Sequence, residues 1–323
     1  MTTEIGTDIA LAVRLLQKGE VVAVPTETVY GLAANALSPK AVLKIFEAKK
    51  RPQFNPLIVH FADVQKALEA AQSIPEAARR LAAHFWPGPL TLLLPKKDFV
   101  PDLVTAGSDR VGLRVPAHPV LRELLAALDF PLAAPSANLF TSISPTTAAH
   151  VARGLHGRIP YILDGGPSPV GLESTIIGFG ENGAPVLYRA GGLAREIIEA
   201  FLGMPLLLQN KPEEHPVAPG QLRSHYAPEK PLYFGPDMPE LMRLADTAEV
   251  AIIGFQEVFD SHLPHFLLSS KGDLEEAARN LFAALHWANS QPVKAILAVA
   301  VPEKGLGAAI NDRLRRASVN FEF

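Results

Sequence analysis

Two spacings of apolar residues alternate along the first two hundred positions of the chain. Helical spacing of apolar residues predicts helices over 8–18, 38–49, 75–85, 119–128, 146–154 and 193–202. Short apolar runs between them predict strands over 21–24, 56–61, 90–94, 111–115, 131–134, 161–163, 174–179 and 185–189. Because helices and strands interleave without strict alternation, this pattern predicts an α/β fold, a twisted mixed sheet with helices on its faces.

Residues 204–231 interrupt the pattern, because they carry six prolines and no sustained periodicity. After them, predicted strands at 232–234, 250–254 and 295–300 alternate with predicted helices at 238–246, 273–288 and 306–316. We therefore expect three parts: a first domain over 1–203, a proline-rich linker over 204–231, and a smaller open α/β, Rossmann-like domain over 232–323.

Composition narrows the class of protein. Of 323 residues, 48% are hydrophobic, so a large core is available, and the net charge of -3 does not indicate stable nucleic-acid binding. The absence of cysteine excludes disulfides, thiolate nucleophiles and cysteine-ligated metals. The opening residues MTTEIGTDIALAVRLL lack a basic segment before their apolar stretch, and no apolar run approaches the ~20 residues that span a bilayer. We expect a soluble, cytoplasmic protein with no membrane partner.

The usual phosphate, dinucleotide, zinc-protease and serine-hydrolase motifs are missing, and the candidate chemistry lies instead where predicted strands end. The turn PTETVYG (25–31) either caps the next element or binds a ligand through its hydroxyls. In AKKRPQFNPL (48–57), the cations either complement a helix dipole or bind an anion, and the two prolines stiffen the loop.

Further polar residues follow other predicted strands. Arg114 interrupts an apolar strand, so it faces either solvent or an anion. Ser, Asn and Thr side chains fill 134–147, glycines and hydroxyls fill 164–175, and Arg189 ends another strand. Positive charge with neutral donors but no protein nucleophile suits a polyphosphate substrate that a second small molecule attacks.

Specific motifs then identify a family. PTETVYGL (25–32), WPGPLTLLL (86–94), LRVPAHP (113–119), APSAN (134–138) and DGGPSPVGLESTI (164–176) resemble those of the YrdC-like threonylcarbamoyl-AMP synthases. The same holds for KKRP and NPL within 49–57, SPTTAAHV (144–151) and LYRAGG (187–192). APGQLRSHYAP (218–228) resembles the linker of the long form, which carries an extra C-terminal domain.

The resemblance implies a reaction in which L-threonine, bicarbonate and ATP give threonylcarbamoyl-adenylate and pyrophosphate, for the threonylcarbamoyl modification of adenosine in tRNA. Mg²⁺ would arrive with ATP and be held mostly by the nucleotide. Downstream tRNA-modification proteins are the expected partners. The attacking group would come from the substrates, which agrees with the missing protein nucleophile.

The resemblance also implies roles for individual residues. Threonine would be held by Thr26, Thr28, His60, Arg114 and Ser174, with Thr28 favoured over Thr26 and Arg114 on the carboxylate. The nucleotide would be held by Arg51, Asn55, Arg110, Ser136, Asn138, Ser144 and Arg189. Lys49 would lie near the phosphates and act in catalysis with Arg51, and Tyr226 in the linker would close over the site.

One departure from the family pattern follows Asn138, where Phe140 and Thr141 replace the usual Ser-Gly pair. Losing that glycine predicts an altered loop backbone around Asn138, with Ser144 unaffected. Two rival functions are a carbamoyl-adenylate-forming domain of the hydrogenase-maturation type, disfavoured by the missing cysteines, and a non-catalytic RNA-binding module, disfavoured by the charge.

Overall fold

The computed structural model describes residues 2–180, 182–209, 225–245, 248–259 and 262–319. Within them the chain forms one eleven-stranded sheet and one four-stranded sheet, each with helices against it. The predicted fold class is thus confirmed. No helix in the described part of the chain has both the length and the apolar character needed to cross a membrane.

The large sheet is mixed, with the order β1-β8-β2-β3-β7-β4-β6-β5-β9-β10-β11. Its parallel and antiparallel pairs alternate irregularly; for example, β4 is parallel to β6 but antiparallel to β7. Its strands are β1 (Glu4–Gly6), β2 (Val22–Val24), β3 (Gly31–Asn35), β4 (Ile58–His60), β5 (Leu90–Pro95), β6 (Arg110–Arg114), β7 (Leu132–Ala133), β8 (Tyr161–Leu163), β9 (Thr175–Phe179), β10 (Pro185–Arg189) and β11 (Leu207–Leu208).

Eight helices accompany this sheet and bury their apolar sides against it. They are α1 (Ile9–Gln17), α2 (Pro39–Lys49), α3 (Val64–Glu69), α4 (Glu76–Phe85), α5 (Asp102–Thr105), α6 (Pro119–Ala126), α7 (Ala148–Leu155) and α8 (Arg195–Leu202). Side chains cap the start of α1 and α2: Asp8 accepts from the Leu11 amide at 2.9 Å, and Ser38 accepts from the Ala41 amide at 3.4 Å. Pro39 then occupies the first turn of α2, where its missing amide hydrogen costs no helix hydrogen bond.

Short elements account for most of the differences from the sequence prediction. The segment from Gly31 to Asn35 is strand β3, antiparallel to β2, so PTETVYG is the turn between two paired strands. Strand β11 pairs with β10, so the first domain extends to Leu208 and not to 203. The pattern also misses β1, α3, α5 and β14, because three to six residues show too little periodicity to stand out.

The second sheet begins at Leu232, where the sequence predicts a strand, and is wholly parallel with the order β12-β15-β13-β14. This is the expected open α/β arrangement. Its strands are β12 (Leu232–Gly235), β13 (Val250–Gly254), β14 (His265–Leu267) and β15 (Ala295–Val299), and its helices are α9 (Met238–Ala245), α10 (Leu274–Ser290) and α11 (Gly307–Ala317).

The two domains pack through a shared apolar cluster. Val29, Ile143 and Leu172 of the first domain are buried together with residues of α10 and α11. Gly171, at φ +77°, approaches α10 so closely that a Cβ there would lie 2.4 Å from the Arg279 Cα atom. Only glycine fits this contact, which holds α10 against the loop that precedes β9.

Candidate functional site

One cavity gathers most of the predicted residues beside the large sheet, where it is lined by the last residues of β4, β6 and β10 and by the segment that follows β7. It is narrow, with a volume of about 50 Å³. Nine of the fourteen predicted residues line it: Thr26, Thr28, Arg51, His60, Arg114, Ser136, Ser174, Arg189 and Tyr226. The strand ends thus bring together side chains that are up to two hundred positions apart in the sequence.

The turn between β2 and β3 uses its two threonines differently. The Thr26 hydroxyl donates to the Val29 carbonyl at 2.7 Å and accepts from the Thr28 and Val29 amides at 3.0 and 3.1 Å. It therefore holds the shape of the turn. The Thr28 hydroxyl accepts from Arg114 Nη2 at 3.0 Å, which agrees with the preference for Thr28 as the ligand-binding hydroxyl.

Arg114 ends β6 and is paired with a carboxylate that the sequence prediction did not include. Its Nη2 lies 2.7 Å from Glu27 Oε1, and its Nε donates to the Gly88 carbonyl at 3.3 Å. Both side chains are almost fully buried, at 4% and 7% exposure. Glu27 lies in the PTETVYG turn, so that turn supplies both the hydroxyl and the counter-charge that orient Arg114.

His60, on the neighbouring strand β4, faces the same cavity in register with Arg114. Burial, and then the nearby Arg114 charge, lower the pKa of His60 to about 3. Its Nδ1 has no hydrogen-bond partner among the described residues. The imidazole is therefore neutral at physiological pH and has a polar atom available to a bound molecule.

Ser174 and Arg189 form the opposite wall. Arg189 Nη2 donates to both the carbonyl and the hydroxyl of Ser174, at 3.0 and 3.1 Å, and Thr91 Oγ1 lies 2.7 Å from the same hydroxyl. Burial lowers the pKa of Arg189 to about 10. The bonds to Arg189 and Thr91 fix the orientation of the Ser174 hydroxyl.

Lys49 and Arg51, at the end of α2, differ in their access to the cavity. Arg51 lines it, donates from Nη2 to the Pro56 carbonyl at 3.0 Å, and has its pKa lowered to about 9 by burial and by Arg189. Lys49 is buried behind the wall, where its Nζ donates to the carbonyls of Ser136 and Asn138 at 2.5 Å each. Burial and then Arg51 lower the pKa of Lys49 well below its ordinary value.

The other four predicted residues, Asn55, Arg110, Asn138 and Ser144, also lie outside the cavity lining, and the Ser144 hydroxyl donates to Glu173 at 2.7 Å. Asn138 Nδ2 donates within its own loop, at 2.9 and 2.7 Å to the carbonyls of Leu139 and Ser142, and Asn55 is fully buried without a side-chain partner among the described residues. Arg110 begins β6, about 13 Å from Arg114 at four strand residues, and donates to the Phe179 carbonyl. The nucleotide contact predicted for Arg110 thus gains no support from its position.

The loop after Asn138 keeps the backbone that a glycine would adopt. Thr141 has φ +68°, a left-handed conformation rare for a β-branched residue. Its carbonyl accepts from the Ala227 amide at 2.9 Å, so this loop is tied to the segment that carries Tyr226. Thr141 therefore bears a backbone strain that the glycine of the family pattern would avoid.

Sequence reasoning missed three further residues of the site: Glu173, His225 and Arg313. Glu173 lines the cavity and accepts from the Ser144 hydroxyl at 2.7 Å and from Arg313 Nε at 3.1 Å. It lies within the GLESTI part of a motif that drew attention for its glycines and hydroxyls. Arg313 belongs to α11 of the second domain, and nothing in its sequence context signals a role.

His225 and Tyr226 close the last side of the cavity. Tyr226 is 1% exposed at φ +66°, and its ring packs at 4.1 Å from that of His225. Burial and then the positive charges of Arg51 and Lys49 lower the pKa of His225 far below its ordinary value. The site therefore concentrates positive charge on the side formed by α2 and these two rings.

No group of three or more His, Cys, Asp or Glu side chains in the described ranges could hold a metal ion. Glu173 is the single carboxylate among the residues that line the described cavity. One carboxylate does not form a dedicated protein cage for Mg²⁺, which needs six oxygen ligands, but it is compatible with a metal that enters already bound to phosphates.

Comparison with known proteins extends over both domains. A family model described as telomere recombination matches residues 14–191, and one described as the threonylcarbamoyl-AMP synthase C-terminal domain matches residues 193–319. Threonylcarbamoyl-AMP synthases from Pyrococcus abyssi (strain GE5 / Orsay) and Bacillus subtilis (strain 168) are 44% and 41% identical. These alignments cover 96% and 98% of this chain and 94% and 96% of the relatives.

Solved structures agree. The crystal structure of P. abyssi Sua5 complexed with L-threonine has a TM-score of 0.91 and 41% identity, and covers 98% of both chains. The HypF structure from T. kodakarensis, 20% identical with a TM-score of 0.50, covers 57% of this chain and 24% of its own, and shares the fold alone. On these matches, the chain belongs to the threonylcarbamoyl-AMP synthase family, and it is a transferase that forms threonylcarbamoyl-AMP.

Proposed function

We propose that this chain condenses L-threonine, bicarbonate and ATP in the cavity at the strand ends, releasing pyrophosphate. The threonine carboxylate would bind Arg114, with the Thr28 hydroxyl and the neutral His60 imidazole beside it. Arg51, Ser136 and Arg189 would contact the nucleotide from the opposite side. Because the P. abyssi relative has been solved with L-threonine, the threonine end of this assignment has the closer precedent.

The observation that carries the proposal is the excess of buried positive charge around the nucleotide side. Arg51 and Arg189 line the cavity with the Lys49 ammonium directly behind its wall, and the pKa values of Lys49 and Arg51 are lowered first by burial and then by a neighbouring cation. Such repulsion is relieved when an anion binds, because opposite charge favours the protonated form of each group. A polyphosphate supplies that charge, and Mg²⁺ would enter as part of the ATP complex.

The chemistry needs no nucleophile from the protein. The threonine amine would take up CO₂ from bicarbonate to form a carbamate, whose oxygen would attack the α-phosphorus as pyrophosphate leaves. The contribution of this chain would be alignment of the two substrates and stabilisation of charge on the phosphates by Arg51 and Arg189. Lys49 would act indirectly, since its ammonium holds the loop that carries Ser136.

Tyr226 and His225 support a closing role for this part of the linker, because they wall a cavity of only about 50 Å³. Substrates would have to displace these rings on entry, and their return would exclude water from a hydrolysable product. Replacing Tyr226 by alanine should leave the fold intact but weaken nucleotide retention or turnover. Unchanged single-turnover kinetics would contradict this role.

The function is tested by omitting one substrate at a time. With purified protein and MgATP, pyrophosphate release and a threonine-containing AMP adduct, detected by mass spectrometry, should both require threonine and bicarbonate. Equal pyrophosphate release without threonine would reject the proposal. We further propose that the adduct is passed in the cytoplasm to enzymes that modify adenosine in tRNA. When the reaction is run with carbon-labelled threonine, adding such enzymes and tRNA should transfer the label to the tRNA.

A further inference from the structure

Two residues of the cavity wall are contacted from behind by the same side chain of the second domain. Arg313, on α11, donates to Glu173 and lies with its Cζ 5.5 Å from the Tyr226 ring centre. Glu173 and Tyr226 both line the cavity, whereas Arg313 does not. Arg313 is 0% exposed and is the largest of the fully buried side chains described.

The Glu173 carboxylate connects this arginine with the first domain. Its Oε2 accepts from Arg313 Nε at 3.1 Å, while its Oε1 accepts from the Ser144 hydroxyl at 2.7 Å. Ser144 is itself fully buried, and its carbonyl accepts from His286 of α10 at 3.2 Å. Both oxygens of the carboxylate are thus fixed, one from each domain, and the direction of the Ser144 hydroxyl depends on them.

A competing cation makes this arrangement sensitive to Arg313. The Glu173 carboxylate is close enough to Arg189 to raise the pKa of that arginine, whereas the charge of Arg313 lowers the pKa of Arg189. Without Arg313, the Glu173 carboxylate would keep only the bond from the Ser144 hydroxyl and would be attracted toward Arg189. Movement toward Arg189 would break that bond and pair the carboxylate with a guanidinium that faces the cavity.

The remaining contacts of Arg313 require the shape of a guanidinium. Nη1 pairs with Asp312 Oδ2 at 3.0 Å, and Nη2 is buried without a partner among the described residues. A buried donor left without a partner is rare in native proteins and calls for an explanation. Lysine has neither the planar group that stacks on Tyr226 nor a donor at the Nε position.

We propose that Arg313 is a positioning residue of the active site, through which the second domain fixes Glu173, the Ser144 hydroxyl and the Tyr226 ring for nucleotide binding. This inference rests on the proposed function, because it takes this side of the cavity as the nucleotide side and keeps the nucleotide contact that the family resemblance implies for Ser144. It gives the second domain a defined part in the reaction without direct contact with substrate.

The test compares Arg313→Met and Arg313→Lys with Arg315→Lys, a control on the same helix whose partner Glu303 lies within the second domain. Arg313→Met should raise the KM for ATP at least about tenfold, as expected for loss of a charged hydrogen bond. The KM for threonine should change less than about twofold. Arg313→Lys should lie between wild type and Arg313→Met, and Arg315→Lys should match wild type.

A double-mutant cycle separates positioning from general damage. If Arg313 acts through Ser144, then adding Arg313→Met to Ser144→Ala should raise the KM for ATP by less than about twofold, because the hydroxyl is already gone. The inference is overturned if the effects of Arg313→Met and Ser144→Ala on the KM for ATP multiply fully. It is also overturned if Arg313→Met raises the KM for ATP and for threonine equally, or leaves the KM for ATP at the wild-type value. If Arg313→Met does not fold by near-UV circular dichroism, the same criteria apply to Arg313→Lys.

These outcomes are distinct from failure of the proposed function. A wild-type protein without threonine-dependent pyrophosphate release would reject the function itself. A wild-type protein with that activity, together with unaffected Arg313 variants, would reject only the role of Arg313.

Discussion

The two ends of the cavity are both built on a buried arginine and glutamate, but they draw on different parts of the chain. At the end proposed for threonine, hereafter the threonine end, Arg114 and Glu27 both belong to the first domain and are joined at 2.7 Å. At the end proposed for the nucleotide, Glu173 comes from the first domain and Arg313 from the second, at 3.1 Å. The first domain therefore completes one half of the site alone, whereas the other half depends on the packing of the two domains.

The largest effect is expected from Arg114→Ala, which breaks the self-contained end. Glu27 would be left as a buried carboxylate without its counter-ion, at a cost of about 3–5 kcal/mol in unfolding free energy. Threonine affinity should fall about 100-fold or more, with a smaller loss in ATP affinity. Calorimetric titration with each ligand measures both, and an equal loss of both affinities would reject the carboxylate role of Arg114.

The control is the double variant Arg114→Met with Glu27→Gln. Because both charges are removed together, most of the lost stability should return, since a neutral replacement of a buried pair is often tolerated. Threonine binding should remain weak. Recovery of threonine binding in this variant would show that Arg114 serves only the fold.

The second prediction loosens the end that depends on both domains. Gly171→Ala places a Cβ 2.4 Å from the Arg279 Cα atom at φ +77°, whereas Gly166→Ala, at φ +81°, meets no atom within 4 Å. Both variants carry backbone strain of about 1 kcal/mol. Only Gly171→Ala also pushes α10 away, so its free energy of unfolding should fall by about 2–4 kcal/mol in total. Thermal unfolding should therefore give Gly171→Ala the lower midpoint, and this variant should lose more affinity for ATP than for threonine.

Comparable behaviour of the two alanine variants would mean that the close approach of Gly171 to α10 does not hold the domains together. A selective loss of threonine affinity in Gly171→Ala would reverse the comparison between the two ends of the cavity.

A smaller effect concerns pH at the threonine end. The pKa of His60 is lowered to about 3 in the folded protein, so the unfolded state binds the extra proton below pH 6.5 and stability falls as pH drops toward 3. Each such histidine contributes a slope of up to about 1.4 kcal/mol per pH unit. His60→Asn should flatten the stability profile between pH 6 and about 4.

His156, which is exposed, offers the matched control, and His156→Asn should leave the profile of the wild type unchanged. His150 and His286 stack at 3.9 Å between the domains and have pKa values near 4 and 3, lowered chiefly by burial. Because both of these histidines also gain protons when the protein unfolds in acid, part of the loss of stability at low pH should remain in every His60 variant. An unaltered profile in His60→Asn, measured by denaturant unfolding at several pH values, would contradict the assignment of a buried neutral imidazole.

The smallest expected effect is a gain in stability. Thr141→Gly relieves a β-branched residue at φ +68° and should stabilise the protein by about 1 kcal/mol. Ser142→Gly, at the next position and without a positive φ, should instead destabilise it. Denaturant midpoints measure both, and a destabilised Thr141→Gly would mean that the threonine side chain supports this loop.

The sequence predicts α1 and α2 closely because their apolar periodicity is long, and it predicts β8 and β13 as short uninterrupted apolar runs. It misses β3 because GLAAN has no alternation, since both faces of that strand are buried. His60 and Arg114 could be placed from the sequence because each lies at the end of a predicted strand. Arg313 is not, because its partner lies 140 positions earlier and only domain packing brings the two together.

The same separation explains why some predicted nucleotide residues support the wall and do not face the cavity. Lys49 and Asn138 occupy motif positions, but a motif specifies a residue type and not the direction of its side chain. In the folded protein the Lys49 ammonium donates to the carbonyl and to the side-chain oxygen of Asn138. A motif therefore identifies the neighbourhood of a site more reliably than the atoms that face the ligand.

The ion pair between Glu173 and Arg313 also bears on how the protein is made. The ribosome completes the large sheet at Leu208 but reaches α11 only about a hundred residues later, which takes about 5–20 seconds at ordinary elongation rates. During that interval a nascent chain exposes Glu173 and the apolar surface around Leu172 before α10 and α11 exist to cover them. Chaperone demand during synthesis should therefore peak between these two points of the chain.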